Sequence, residues 1–317
     1  MDLQVTGQDV REAAAKISSL VHRTPVMTSA SLDGITQRHV FLKCENLQRG
    51  GSFKIRGAMN RILSIDPSDL PRGVVAFSSG NHAQAVAMAA AHVGAPATIV
   101  MPSDAPRSKV EATRARGANI VTYDRLREDR EQVAAKIIEK TQATLVPPFD
   151  HPLIMAGQGT AALELLQDAP QLDALVVCVG GGGLIAGCAT IAKELDPAIR
   201  VFGVEPERAS DVYQSLEAGR RIEISPPDTI ADGLRTLMPG KLTFPVIQRH
   251  VEKILLVSED EIRAGMRFLF TRMKLVVEPS GAVAVAALMF RKFPEEIRSV
   301  GATISGGNVD LEFLATL

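Results

Sequence analysis

Val74–Met101 reads VVAFSSGNHAQAVAMAAAHVGAPATIVM. Val74–Ser78 is an apolar run ending in small residues, 81–93 has the spacing of an alanine-rich helix, and Ala97–Met101 is a second apolar run. Strand, helix, strand implies parallel pairing, because a short turn cannot bring the chain back in the same direction. The alternation continues with 107–116, Asn119–Tyr123 and 127–142. A second series follows, with Ala174–Val179, Arg200–Glu205, Lys253–Val257 and Ser299–Ser305 as strands separated by helices. Upstream, Val40–Lys43 reads as a strand. Residues 8–20 read as a helix with Val10, Ala14, Ile17 and Leu20 on one face and a Thr6-x-x-Asp9 cap. The expected fold is α/β, two lobes of doubly wound parallel sheet with a cleft between them, and Pro147-Pro148 marks a joint. The expected division is 1–68 with 149–317 as the large domain and 69–148 as the small one.

With 317 residues, 46% of them apolar, the chain can bury a large core. A net charge of −1 gives no electrostatic case for nucleic acid or a basic partner, so a small-molecule ligand is the default. Cys44, Cys178 and Cys188 show no CxxC spacing, which indicates neither a disulfide framework nor a zinc site and fits a reducing cytoplasm. The first residues, Met-Asp-Leu-Gln-Val, lack a basic and apolar leader pattern, and no apolar run approaches the ~20 residues that span a bilayer.

Working outward from the opening stretch, Arg49–Gly57 (RGGSFKIRG) places one amine, Lys54, in a glycine- and serine-rich turn beside Phe53 and Ile55. An amine so placed can shed its proton and form a Schiff base with a carbonyl; a phosphate clamp or a solvated lysine is the competing reading. Downstream, Val179-Gly-Gly-Gly-Gly-Leu184 follows an apolar strand and opens a helix, which makes it a phosphate site built from backbone amides. Gly181, Gly183 and Ala186 also satisfy a dinucleotide fingerprint, with Glu205 where a ribose-binding acid belongs, so a nicotinamide-dependent dehydrogenase is the rival. That rival leaves unexplained the turns Ser78–His82, Glu278-Pro-Ser-Gly281 and Ser305-Gly-Gly-Asn308, each of which follows an apolar run. Alone, each would be read as a helix cap.

Together with Gly51–Gly57 and Ala156-Gly-Gln-Gly-Thr160, these turns resemble, in order and over nearly the whole chain, the fold-type-II pyridoxal-phosphate enzymes of the serine/threonine dehydratase and serine racemase group. The resemblance implies a tryptophan-synthase-β-like fold. It makes Lys54 the residue joined to the cofactor aldehyde, Gly180, Gly181, Gly182, Gly183 and Leu184 the phosphate cradle, Asn81 the partner of the ring hydroxyl, and Phe53 the packing on the ring face. Ser305 would face the pyridine nitrogen. A hydroxyl cannot hold that nitrogen protonated as a carboxylate would, so the ring is a weaker electron sink and β-elimination is favoured over transamination. Ser78, Ser79, Asn81 and His82 would bind the substrate carboxylate.

The activity so implied is dehydration and deamination of L-serine or L-threonine to a 2-oxo acid and ammonia. Serine racemisation, with Ser79 as a second base facing Lys54, and 3-hydroxyaspartate elimination are alternatives. Arg130 matches an arginine that could take a second carboxylate, although on an Asp/Glu/Arg-rich helix it also reads as a surface charge. Thr236 replaces a serine near the substrate, and Arg49-Gly50 replaces the more usual Lys-Thr. Glu205, the Ala209 carbonyl and Asp211 match a site for Mg2+, or Ca2+ or Mn2+; on spacing alone the two acids would be a strand end and a helix start. The resemblance further implies a cytoplasmic homodimer that acts on amino acids, with no membrane partner and no feedback inhibition through a regulatory domain. A catalytically silent ligand-binding homologue is the remaining reading.

Overall fold

The computed structural model describes residues 3–317 except Pro106 and Pro170. Its contacts divide the chain into a larger unit, Met1–Phe53 with Phe149–Leu317, and a smaller one, Lys54–Pro148. The second joint falls at the double proline. The first falls at residue 53 rather than at 68, because the helix that begins at Lys54 packs on the helix Asn81–His92.

In the larger unit, α1 (Gly7–Ile17) is followed by β1 (Val26–Met27), α2 (Ala30–Thr36) and β2 (His39–Cys44). The Thr6 hydroxyl accepts from the Asp9 amide while the Asp9 carboxylate accepts from the Thr6 amide, the reciprocal cap its spacing predicts. The smaller unit contains α3 (Lys54–Ile62), β3 (Val74–Phe77), α4 (Asn81–His92), β4 (Ala97–Pro102), α5 (Arg107–Arg114), β5 (Asn119–Tyr123), α6 (Arg130–Thr141) and β6 (Thr144–Leu145). Its sheet is parallel in the order β5-β4-β3-β6. All four β3 residues are buried, which is why they read as an unbroken apolar run rather than an alternating one.

The larger unit resumes with α7 (Pro152–Asp168), β7 (Ala174–Cys178), α8 (Gly183–Leu195), β8 (Arg200–Pro206), α9 (Asp211–Ala218), α10 (Thr243–His250), β9 (Lys253–Val257), α11 (Glu259–Met273), α12 (Pro279–Met289), β10 (Ser299–Ile304) and α13 (Leu311–Leu314). Its sheet runs β1-β2-β10-β7-β8-β9, parallel except for the antiparallel edge pair β1 and β2. The short strands β1 and β6 have no periodicity and escape a sequence reading; only their neighbours define them. Helices α7 and α8 approach closely, and a Cβ added at Gly159 would lie 2.7 Å from the Gly187 carbonyl oxygen. That contact explains Gly159, within Ala156–Thr160, as a packing residue. The loop 220–227 is tethered: the Ile222 amide donates to Ser215 Oγ at 2.9 Å and the Ile224 amide to the Leu237 carbonyl at 2.8 Å.

Candidate active site

In the larger unit, three turns from distant parts of the chain are hydrogen-bonded into one block. The Phe53 amide donates to the Ser305 carbonyl at 3.1 Å and the Gly307 amide to the Gly51 carbonyl at 2.9 Å. Asn308 Nδ2 donates to the Gly50 carbonyl at 2.7 Å. The Asn308 amide also reaches Glu278 Oε2 at 3.2 Å, while the Glu278 amide donates to the Gly306 carbonyl at 3.1 Å. A Cβ at Gly281 would collide with the Gly306 carbonyl and one at Gly306 with the Glu278 carboxylate, so the glycines are there for close approach. Ser305 is buried and its hydroxyl donates to the Ser280 carbonyl at 3.4 Å. Ser280 Oγ in turn accepts from the Gly233 amide at 2.9 Å. Phe53 is half-buried against the core of this unit.

The glycine loop after β7 belongs to the same unit. Gly182 has a φ of +94°, which an L side chain rarely adopts, and Gly183 opens α8 with no side-chain cap. A Cβ at Gly181 would enter the Phe149 ring, and one at Gly183 would lie 2.8 Å from Phe149 Cβ. Thr243 Oγ1 donates to the Gly181 carbonyl at 2.7 Å, and the Asp150 carboxylate accepts from the amides of Lys241, Leu242 and Thr243. At Gly181, Gly182 and Gly183 the neighbouring Phe149, Thr243 and Ile247 therefore leave no room for side chains, and the loop ends at an uncapped helix start. Leu184 is buried beneath it. Phe149, Asp150 and Thr243 carry no motif of their own and were not legible in sequence.

In the smaller unit, β3 ends at Phe77 and the turn Ser78–Gly80 leads into α4. Ser78, Ser79 and Asn81 are half-buried, and the Gly80 amide donates to Ser78 Oγ at 3.2 Å. His82 is buried, with Nε2 2.9 Å from the Val146 carbonyl. Burial, then the charge of Lys54, push its pKa down to about 3, so the ring is neutral. Lys54 is the first residue of α3 and half-buried; its Nζ donates to the Pro148 carbonyl at 2.9 Å. Arg130 is exposed at the start of α6, and its guanidinium lies 5.3 Å from the centre of the Phe77 ring. It is thus a surface charge, but one held beside the Ser78–His82 turn.

Glu205 and Asp211 are both fully buried in the larger unit, with the Ala209 residue between them also buried. Glu205 accepts from the Val212 and Tyr213 amides at 3.1 and 2.8 Å, and Thr236 Oγ1 donates to Asp211 at 3.2 Å. Thr236 therefore sits at the paired acids. Burial and the neighbouring carboxylate raise the Glu205 pKa well above the usual range, and burial lifts Asp211 to about 7. Glu205 faces the start of α9, which removes the ribose-binding acid that the nicotinamide reading required. No group of three or more His, Cys, Asp or Glu side chains suited to a metal ion occurs among the described residues.

Residues 17–306 match the family model described as pyridoxal-phosphate dependent enzyme. The chain belongs to that family. It is 50% identical over 309 residues to an L-threo-3-hydroxyaspartate ammonia-lyase from Pseudomonas sp, covering 98% of this chain and 97% of that one. It is 45% identical over 307 residues to a serine racemase from Schizosaccharomyces pombe, covering 97% and 95%. The solved structure of maize serine racemase superimposes with a TM-score of 0.96 at 43% identity, covering 99% of this chain and 96% of that one. The α/β fold with parallel sheets is that of the type-II pyridoxal-phosphate enzymes, and the chain is a pyridoxal-phosphate-dependent enzyme of their lyase and racemase group. No helix among the described residues is long and apolar enough to cross a membrane.

Pyridoxal phosphate suits the residues present. The 180–184 loop offers amides and a helix start to a phosphate, and side chains cannot fit at Gly181, Gly182 and Gly183. Ser305 presents a neutral hydroxyl, and Lys54 supplies a primary amine at the start of α3.

Proposed function

We propose that this enzyme eliminates water and ammonia from 3-hydroxy amino acids, with L-threo-3-hydroxyaspartate preferred over L-serine and L-threonine. The observation that carries the preference is Arg130, a cation fixed over Phe77 one residue before the Ser78–His82 turn. The 50% identity to a hydroxyaspartate ammonia-lyase adds support. Lys54 would join the cofactor aldehyde, Gly180–Gly183 and Leu184 would hold its phosphate, Asn81 would meet the ring hydroxyl, Phe53 would pack on the ring and Ser305 would face the pyridine nitrogen. When bound, the cofactor supplies an electron sink for the pair left at the substrate α-carbon. The Ser78–His82 turn binds the α-carboxylate at the start of α4, with Ser78, Ser79 and Asn81 offering side chains and His82 its backbone, because its ring proton is given to the Val146 carbonyl, and Arg130 takes the second carboxylate. The Lys54 amine removes the α-proton; the C3 hydroxyl leaves with a proton as water, and the released enamine hydrolyses to a 2-oxo acid and ammonia.

Serine racemisation is a second activity, favoured by Ser79, whose hydroxyl can hold a proton on the face opposite Lys54. Mg2+ bound by Glu205, the Ala209 carbonyl and Asp211 plays a structural part; two buried carboxylates with no basic partner among the described residues are the support for it. The active assembly is a homodimer.

Separate incubations with L-threo-3-hydroxyaspartate, L-serine, L-threonine and D-serine, followed for 2-oxo acid and enantiomer, test these assignments. Arg130→Ala is expected to lower kcat/KM for hydroxyaspartate by about 10- to 100-fold, the loss of one charge-assisted bond, while sparing serine. Unchanged relative rates would remove Arg130 from the substrate site.

A further inference from the structure

The Val146 residue is bound on both sides in the smaller unit. Its amide donates to the Val75 carbonyl at 2.9 Å, and its carbonyl accepts from His82 Nε2 at 2.9 Å. Because a carbonyl can only accept, Nε2 carries the proton in the neutral ring. Nδ1 is then a lone pair, and it is buried without a partner among the described residues. The next two residues are Pro147 and Pro148. Each has a locked φ and no amide hydrogen, and Val146 and Pro147 are further confined by the proline that follows them, so this step is stiff and a displacement of Val146 is passed on to Pro148. That carbonyl accepts from Lys54 Nζ at 2.9 Å.

We propose that His82 is a positioning residue for Lys54: its imidazole pins the Val146 carbonyl, and the rigid Pro147-Pro148 step carries that constraint to the carbonyl holding Nζ. The inference rests on the reading of Lys54 as the cofactor-bearing amine and adds to it a role for a side chain that reaches Lys54 only through backbone. Protonation of His82 would put a hydrogen on Nδ1 with nothing to receive it, in the field of Lys54, so the ring works only as a neutral donor. Glutamine keeps a donor at comparable reach, whereas leucine fills the space and leaves the Val146 carbonyl unpaired.

The full-length chain is stripped of pyridoxal phosphate and the cofactor returned. The capture rate is followed by the yellow absorbance across a range of pH, and the linked residue is identified by borohydride trapping. In His82→Leu the plateau rate is expected to fall about 10-fold and the pH midpoint to move down by about one unit, since a misplaced carbonyl no longer favours the ammonium form. His82→Gln is expected to keep the parent midpoint. A purely structural His82 would lower Tm in both variants and leave both midpoints in place, and that result overturns the proposal. If His82→Leu does not fold, Pro147→Gly decides: a midpoint shift with His82 intact supports the relay, and an unshifted midpoint refutes it. Absence of any trapped cofactor on Lys54 in the parent chain would instead sink the cofactor assignment itself.

Discussion

Gly182→Ala probes the loop after β7. At its φ of +94°, alanine costs about 1 kcal/mol more than glycine. The added Cβ would lie 2.7 Å from Ile247 Cδ1 and 2.8 Å from Thr243 Oγ1. Thr243 cannot retreat freely, since its hydroxyl is bonded to the Gly181 carbonyl at 2.7 Å. Overpacking of this kind adds ~1–3 kcal/mol, for a total of ~2–4 kcal/mol. At about 2 °C per kcal/mol for a large domain, Tm should fall by ~4–8 °C. Gly180→Ala is the internal control, because its Cβ would meet Leu234 Cα at 3.4 Å and its φ is not positive, so it should cost within about 0.5 kcal/mol. Thermal unfolding of both variants, with and without pyridoxal phosphate, is the assay, and the stabilisation by added cofactor should shrink only in Gly182→Ala. If Gly182→Ala melts with the parent, or Gly180→Ala falls as far, the loop is not sterically determined and the argument for the phosphate cradle fails.

The neutral His82 makes stability depend on pH. Its pKa is depressed from 6.5 to about 3, so the unfolded chain takes up a proton that the folded chain refuses. The contribution is full above the unfolded value and is lost on acidification at about 1.4 kcal/mol per pH unit across that window. Urea unfolding at successive pH values should show this slope reduced in His82→Gln; parallel curves would refute it. Burial, with a smaller push from Glu45, raises the Cys44 thiol to about 12, and Cys178 and Cys188 are also buried and in no disulfide. A thiol reagent at mildly alkaline pH should therefore label none of the three until the protein unfolds, and rapid labelling of the native protein would show that Cys44 is reached by solvent. Chelation is expected to lower Tm and added Mg2+ to restore it, with neither effect in Glu205→Gln; a parent indifferent to both returns the acids to a shared-proton pair.

The small-residue turns were legible because they are made of glycine, serine and one lysine, residue types that local backbone geometry selects. Gly182 is there for its φ, and Gly281 and Gly306 for the space they leave, and such requirements appear in sequence as glycine whatever the partner. Arg130 was legible as a charge but not as a ring-stacked one, because Phe77 lies far from it in the chain. Thr236 shows the same limit: the resemblance places it near the substrate, and only the structure shows that its hydroxyl donates to Asp211.

The sequence by itself determined the α/β class, the order of the strands along the chain and the small-residue turns, since periodicity and turn chemistry are local. Only the tertiary structure decided which turns meet, that β2 lies beside β10 at the far end of the chain, that helix α3 goes with the smaller unit, and that Lys54 and His82 converge on the 146–148 joint. The physical reason is that backbone carbonyls such as those of Val146 and Pro148 are chemically identical at every position. Their role arises from where long-range strand pairing carries them, and no residue letter records it.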